Sequence, residues 1–249
     1  MISVVCVYNN EDILNDYLLD SLESQTADYE LILIDNTENK FKSAAEALNH
    51  GGKKAKGTYI MFVHQDIDLS SDNWLKDTEK MLNSLTNIGI LGVAGNCENV
   101  KGTTTIIKDG DPPKLAGPNY LNEITESQTL DECLIIVPKS VFNILHFDEM
   151  VCDDWHLYAA DYCLSIKKLG YKVYIAPIFV YHLSPGYSMS ENYYLTLNKI
   201  LKKHRNNYNE IFTNTGCWNT LYPLKLQRKL IPLKLGFKKR LKLLTDVYK

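Results

Sequence analysis

The sequence predicts an α/β protein built on a mostly parallel central sheet flanked by helices. Three observations carry this expectation. Strand-like and helix-like segments alternate, β-α-β-α-β-α-β, over the first 95 residues. The strand segments are continuous apolar runs, the pattern of strands covered on both faces. Polar clusters follow the first three strands directly: Tyr8-Asn9-Asn10, Asp35-Asn36-Thr37 and Asp66-Ile67-Asp68. The carboxyl ends of parallel strands are where such sheets bind ligands.

Each element follows from its residues. Ile2–Tyr8 is an apolar run stopped by Asn9-Asn10 and reads as a buried strand. Between Glu11 and Gln25, the residues Ile13, Tyr17, Leu18 and Leu22 share one helix face. Leu31–Ile34 is the second strand. Phe41–Leu48 reads as a helix, with Asn49-His50-Gly51-Gly52 as its stop signal. Thr58–Val63 is the third strand and runs straight into His64. Asp72–Leu85 reads as a helix and Ile88–Ala94 as the fourth strand.

The second half is less regular. Residues 95–130, rich in Gly, Thr, Asn, Asp and Pro, read as loops with a hairpin at Gly102–Lys108. Leu134–Val137 is another strand, with a short helix from Lys139. Leu157–Leu169 reads as a helix ended by Gly170. Tyr171–Ile175 and Ile178–Tyr181 read as strands, His182–Gly186 as a turn and Glu191–Arg205 as an amphipathic helix. No internal repeat or linker interrupts the chain. The expected division is one domain over residues 1–205 and a basic amphipathic appendage over 206–249.

Composition excludes several classes. The chain has 249 residues, 45% apolar and 23% charged, which rules out disorder and suffices for a sizeable core. A net charge of −3 argues against a nucleic-acid partner. From Lys225 to Lys249, however, nine Lys/Arg face one acid, a local +8 that leaves −11 on the rest. Six cysteines without a CxxC pair argue against a zinc site or a disulfide framework and fit free thiols, mostly buried. No apolar run reaches the roughly 18 residues of a membrane span. Ile2 follows Met1 with no basic leader, so no signal peptide is expected. These features predict a cytoplasmic protein, with peripheral attachment to the inner face of the cell membrane as a further expectation. Leu233, Phe237, Leu241 and Leu244 would form one face of a basic helix. Such a helix suits an anionic membrane surface, the protein's own body or a second subunit.

Four groups of residues could carry chemistry. Asp66-x-Asp68 ends a buried strand, and two carboxylates converging in a turn there suit Mg²⁺ or Mn²⁺ bridging phosphate oxygens. The same acids would also serve as turn or helix-cap residues. Asp35 could accept hydrogen bonds from a base or ribose, or bond its own backbone. His182, between a strand and Ser184-Pro185-Gly186, is either structural or a third ligand beside the carboxylates. Phe147–Asp161 brings acids and His156 to a helix start, where one could act as a general base. Asp153 and Asp154 would equally serve as N-caps.

Taken together, these residues resemble family 2 glycosyltransferases of the GT-A fold over about residues 1–190. Val4–Asn9 looks like the opening strand that ends in a Tyr-Asn pair. Ser21-Leu-Glu-Ser-Gln25 is similar to the end of the first helix. Leu33–Thr37 looks like the "VDDGS" turn, with Asn36 in place of the second acid. Phe62–Asp68 resembles the metal segment, Leu130–Leu134 the acceptor-side strand, and Leu164–Tyr174 the helix-strand unit that precedes a metal-binding His. His156-Leu-Tyr-Ala-Ala-Asp161-Tyr-Cys-Leu164 is similar to the helix start of the StrF-like subgroup.

The resemblance implies a transfer from a nucleotide-sugar donor, a UDP-sugar foremost, to a glycan, lipid-linked or glycoprotein acceptor. Asp35 would contact the base or ribose, and Tyr8 and Asn9 would line the same pocket. Asp66 and Asp68 would handle Mn²⁺ or Mg²⁺ and the diphosphate, with His182 as a further ligand. The acid that usually serves as the inverting base is replaced by Ala159. Asp161, one helical turn inside, and Asp154, before the helix, are the nearby acids, with Asp161 the closer match. Two other readings stay open. A non-catalytic family member would lack the base. A sugar nucleotidyltransferase would need a Gly-rich basic loop after the first strand, which Tyr8-Asn-Asn-Glu11 does not supply.

Overall fold

The computed structural model describes residues 1–98, 100–184 and 190–230. Its centre is a seven-stranded sheet in the order Thr125–Glu126, Lys172–Ile175, Ile88–Gly92, Leu134–Pro138, Tyr59–Val63, Ile2–Tyr8, Tyr29–Asp35. Ile2–Tyr8 pairs in parallel with both neighbours, and Lys172–Ile175 is parallel to Ile88–Gly92. Leu134–Pro138 is antiparallel to the strands on either side of it. The short edge strand Thr125–Glu126 is also antiparallel. The mostly parallel α/β sheet is thus the one the apolar runs predict.

Period-2 alternation divides one strand between two cores. In Tyr59–Val63, Ile60 and Phe62 join a cluster with Phe142, Tyr162 and Leu197. Tyr59, Met61 and Val63 join the opposite cluster, with Leu18, Trp74 and Leu75. Both faces are therefore apolar, which is why the strand reads as a continuous run.

The helix expected to stop at Asn49–Gly52 instead runs from Ala44 to Lys54. Ser43 opens it, its hydroxyl accepting from the Glu46 N–H. Gly51 and Gly52 are there for close packing rather than for a C-cap. A Cβ at Gly51 would lie 2.5 Å from Val5 Cγ1, and one at Gly52 would lie 2.6 Å from Phe142 Cζ. The helix thereby seats directly on the sheet.

Residues 94–130 hold more strand than the loop composition suggests. Thr104–Thr105 lies between Ala94–Asn96 and Asn119–Tyr120 in a small four-stranded sheet completed by Thr129–Leu130. The hairpin sits at Lys108–Asp109 and Lys114–Leu115 rather than at Gly102–Lys108. A second small sheet runs Ile67–Asp68, Tyr181–His182, Lys108–Asp109, Lys114–Leu115. It ties the end of the third main strand to the strand that carries His182.

Beyond the Glu191–His204 helix, Glu210–Thr213 and Gly216–Asn219 form a hairpin. Ile211 and Trp218 are buried in the main core. Thr129 Oγ1 donates to Phe212 O, and Gln128 bonds both Glu210 O and Phe212 N. Residues 224–230 are helical. Arg228 forks onto Glu191 at 2.9 and 2.6 Å and stacks 3.7 Å from the Tyr194 ring centroid. The expected basic face with Leu233, Phe237, Leu241 and Leu244 lies outside the described residues. Among the described residues no helix is long and apolar enough to cross a membrane. All six cysteines are free thiols, five of them buried and Cys217 exposed.

Candidate active site

The third main strand ends at Val63, and His64 and Asp66 follow it through a turn. Ile67–Asp68 then pairs antiparallel with Tyr181–His182, setting His182 opposite Ile67 and Tyr181 opposite Asp68. Asp66 accepts from the Leu183 N–H through its carbonyl and from the Ser184 N–H through Oδ2. This pairing brings ligand atoms of His64, Asp66 and His182 within 4.8 Å of one another. His182 Nε2 lies 3.3 Å from Asp66 Oδ1. It is buried and out of line for a hydrogen bond, so it has no hydrogen-bond partner among the described residues.

The electrostatics of the trio favour a cation. Burial alone would raise the Asp66 carboxyl, but His182 and His64 outweigh it and hold the group below its ordinary value. Burial and the charge of His182 depress the His64 imidazole, favouring its neutral, ligating form. His182 is raised, because Asp66, Asp131 and Asp109 overcome the effect of burial. Two imidazoles and a carboxylate form a donor set for a divalent first-row metal ion, Mn²⁺ among them.

Asp68 is not in this group. Residues directly opposite in an antiparallel pair share a face, so Asp68 lies with Tyr181 on the side away from His182. Its Oδ1 accepts from the Ser70 N–H at 2.6 Å, where it holds a turn. His64 stands in the trio where the sequence suggested Asp68. The signal for it was its spacing, two residues before Asp66 at the end of an extended run.

Two chambers meet at Asp66. The smaller, about 280 Å³, is lined by Tyr8, Asn9, Asn36, Trp155 and Tyr158, with His64, Gln65 and Asp66 at its floor. Gln65 straps two strand ends together. Its Oε1 accepts from the N–H groups of Asn9 and Asn10, and its Nε2 donates to Asn9 Oδ1. Tyr8 and Asn9 line this chamber at the end of the first strand. Asp35, opposite Tyr8 in the register, is exposed at the end of its strand. Its Oδ1 accepts from the N–H and hydroxyl of Thr37, bonds that hold the carboxyl below its ordinary value.

The larger chamber, about 930 Å³, shares His64, Asp66 and Trp155 with the smaller one. Asp109, opposite His182 in the strand register, lines it together with Asp131, Glu132, His156 and Tyr193. Asp131 is fixed by the Cys133 N–H on Oδ1 and by Asn214 on Oδ2. Glu132 Oε1 is buried with no hydrogen-bond partner among the described residues. Burial foremost, then the Asp131 charge, pushes this carboxyl well above its ordinary range, against the backbone amides of Leu157 and Tyr158. Leu157 has a left-handed φ of 66°. It turns the chain from Trp155 and His156, on the chamber walls, into the Tyr158–Lys168 helix.

The two acids considered for the base lie elsewhere. Asp161 is 2% exposed and is held by Lys203 at 2.6 Å and His204 at 2.8 Å. The carbonyl of Asp154 accepts from the Ala44 N–H. Neither lines a chamber. Ala159 is fully buried.

Residues 3–212 match the glycosyltransferase-like family. No curated protein matches the chain in sequence. Its fold is similar to that of a mannosyltransferase from Pyrobaculum calidifontis solved with GDP-Man and Mn²⁺. The TM-score there is 0.57 and the identity 12%, over 83% of this chain and 64% of that one. It is also similar to GalNAc-T7 with UDP, GalNAc and Mn²⁺, with a TM-score of 0.59 and 15% identity over 82% of this chain and 47% of that one. For S. aureus TarS 1-349 in complex with UDP-GlcNAc the TM-score is 0.56 at 15% identity, over 86% and 68%. This chain thus spans less than two thirds of the first two proteins. With a family match across most of its length, and a sheet shared with GT-A transferases, the chain belongs to the glycosyltransferase-like family.

Proposed function

We propose that this protein is a metal-dependent glycosyltransferase. It moves a sugar from a nucleotide-sugar donor, a UDP-sugar foremost, to a hydroxyl of a glycan, lipid-linked or glycoprotein acceptor, with inversion at the transferred carbon. The supporting observation is the place of the His64–Asp66–His182 trio, at the junction of a nucleotide-sized cleft and a larger chamber. Tyr8, Asn9 and Asp35 receive the nucleoside at the ends of the first two strands. His64, Asp66 and His182 would hold Mn²⁺ or Mg²⁺. When bound, the ion neutralises diphosphate charge and so helps the nucleoside diphosphate leave. The indole of Trp155, shared by both chambers, offers a flat apolar face to the sugar between them. Asp109 and Asp131 in the larger chamber suit the hydroxyl groups of an acceptor. The donors named with the similar structures support the donor class. The run His156–Leu164 supports membership of the StrF-like subgroup.

The test is turnover of a nucleotide-sugar panel by the full-length protein with Mn²⁺, scored as release of nucleoside diphosphate. One donor is expected to be consumed, and EDTA or Asp66→Ala should stop it. If no member of the panel is bound or consumed, the transferase reading fails.

A further inference from the structure

The geometry points to Glu132 as the general base that takes the proton of the attacking hydroxyl. This rests on the transferase reading above. A carboxylate is needed where the acceptor approaches, yet the helix start that would carry one holds Tyr158 and the buried Ala159. Asp161 is held by Lys203 and His204, and Asp131 has both oxygens engaged by Cys133 and Asn214. Glu132 differs. It lines the large chamber, and its Oε1 is a buried acceptor with no hydrogen-bond partner among the described residues.

Glu132 is also fixed close to the metal trio. The Tyr158 hydroxyl donates to Glu132 O at 3.0 Å and lies 3.4 Å from His64 Nε2. One side chain thus spans from a proposed metal ligand to the backbone of Glu132. The amides of Leu157 and Tyr158 favour the charged carboxylate. Glu132 therefore supplies, from the end of a neighbouring strand, a carboxylate beside the same helix start.

The step balances without a further reactant. The acceptor O–H gives its proton to the Glu132 carboxylate as its oxygen forms a bond to the anomeric carbon. The bond from that carbon to the diphosphate oxygen breaks, and its electron pair leaves with the nucleoside diphosphate. The proton then passes to solvent. The groups that face Glu132 are Asp131 on its own segment, Cys152, Tyr158 at the start of the next helix, and Tyr193 on the Glu191–His204 helix. Burial among them raises the carboxyl above its ordinary range, and the Leu157 and Tyr158 amides oppose that rise.

The experiment compares full-length wild type, Glu132→Gln and Glu132→Asp, using Mn²⁺ and the donor that wild type hydrolyses, with water as acceptor. Glu132→Gln should lose about 10²–10⁴-fold in kcat. Its nucleoside-diphosphate affinity, by calorimetry, should stay within about twofold. Glu132→Asp should recover part of the rate, and the rising limb of the wild-type pH profile should vanish in Glu132→Gln. Retained turnover in Glu132→Gln, or a loss of nucleotide affinity as large as the loss of rate, overturns the assignment. Should Glu132→Gln melt early, a flat wild-type profile together with unchanged Glu132→Asp turnover overturns it instead. A wild type that binds neither UDP nor GDP with Mn²⁺ overturns the transferase reading, and the role of Glu132 with it.

Discussion

His204 Nε2 lies 2.8 Å from Asp161 Oδ1, inside the contact between the Tyr158–Lys168 and Glu191–His204 helices. Lys203 Nζ joins them, 2.6 Å from Asp161 Oδ2 and 2.8 Å from Asp148 Oδ2. The cluster holds together the helix whose start shapes both chambers. Removing one partner of a buried ion pair costs about 3–5 kcal/mol, because the other charge is left uncompensated. Asp161→Asn should therefore lower thermal stability strongly while nucleotide affinity at low temperature stays near wild type. A variant that melts normally but has lost turnover would return Asp161 to the list of candidate bases.

The same cluster makes stability depend on pH. Burial foremost lowers the His204 pKa, with Lys168 and Lys203 adding to it, and Asp161 opposes without prevailing. In the unfolded chain the imidazole titrates near about 6.5. As pH falls below that value, the unfolded state takes up the proton first. The stability contributed by His204 is thus complete above the unfolded pKa and is lost as pH falls toward the folded one. Melting curves between pH 7.5 and 5.5 should show a decline that is shallower in His204→Gln. Parallel slopes in the two proteins would show that His204 contributes nothing.

The pairing of Ile67–Asp68 with Tyr181–His182 separates two acids two residues apart. Asp66→Ala and His182→Ala should each weaken Mn²⁺-dependent UDP binding by more than the roughly 10–100-fold that loss of an outer partner costs a metal site. Asp68→Ala should keep the Mn²⁺ dependence, since its carboxylate holds the Ser70 turn. Calorimetry of UDP with and without Mn²⁺ checks all three. Loss of Mn²⁺ dependence in Asp68→Ala alone would restore it as the ligand.

Gln65 makes three hydrogen bonds to the loop that carries Asn9. At about 0.5–1.5 kcal/mol each, less where exposed, they amount to an order of magnitude or more in affinity if they order the donor cleft. Gln65→Ala should weaken UDP binding about tenfold with little change in melting temperature. Unchanged affinity would show that the cleft is held by the strands alone.

The basic tail gives a prediction from sequence. Each Lys or Arg near an anionic surface contributes about 1 kcal/mol. Full-length protein should float with anionic vesicles at low salt, and a Lys238→Glu, Lys239→Glu, Arg240→Glu variant should not. Equal recovery of the two would remove the membrane from the account.

Much of this protein is legible one segment at a time. Burial on both faces leaves its mark as an unbroken apolar run, so Ile2–Tyr8 and Tyr59–Val63 declare themselves. The polar residues at their ends, Tyr8, Asn9 and Asp66, line the smaller chamber at the sheet edge where parallel strands end. What the tertiary structure decided depends on residues remote in the chain. A glycine pair reads as a helix stop until Val5 and Phe142 are seen pressing on it. Asp68 reads as a ligand until its strand pairs with Tyr181–His182 and turns it to the other face. Asp161 reads as a base until the Glu191–His204 helix brings Lys203 and His204 onto it. Glu132 lies in the Leu130–Leu134 run that resembles an acceptor-side strand, yet its oxygen without a hydrogen-bond partner among the described residues arises only where a strand end meets a helix start. Periodicity records which face a residue shows. Register and helix contacts between distant segments fix what that face meets, and the chemistry of the site is set there.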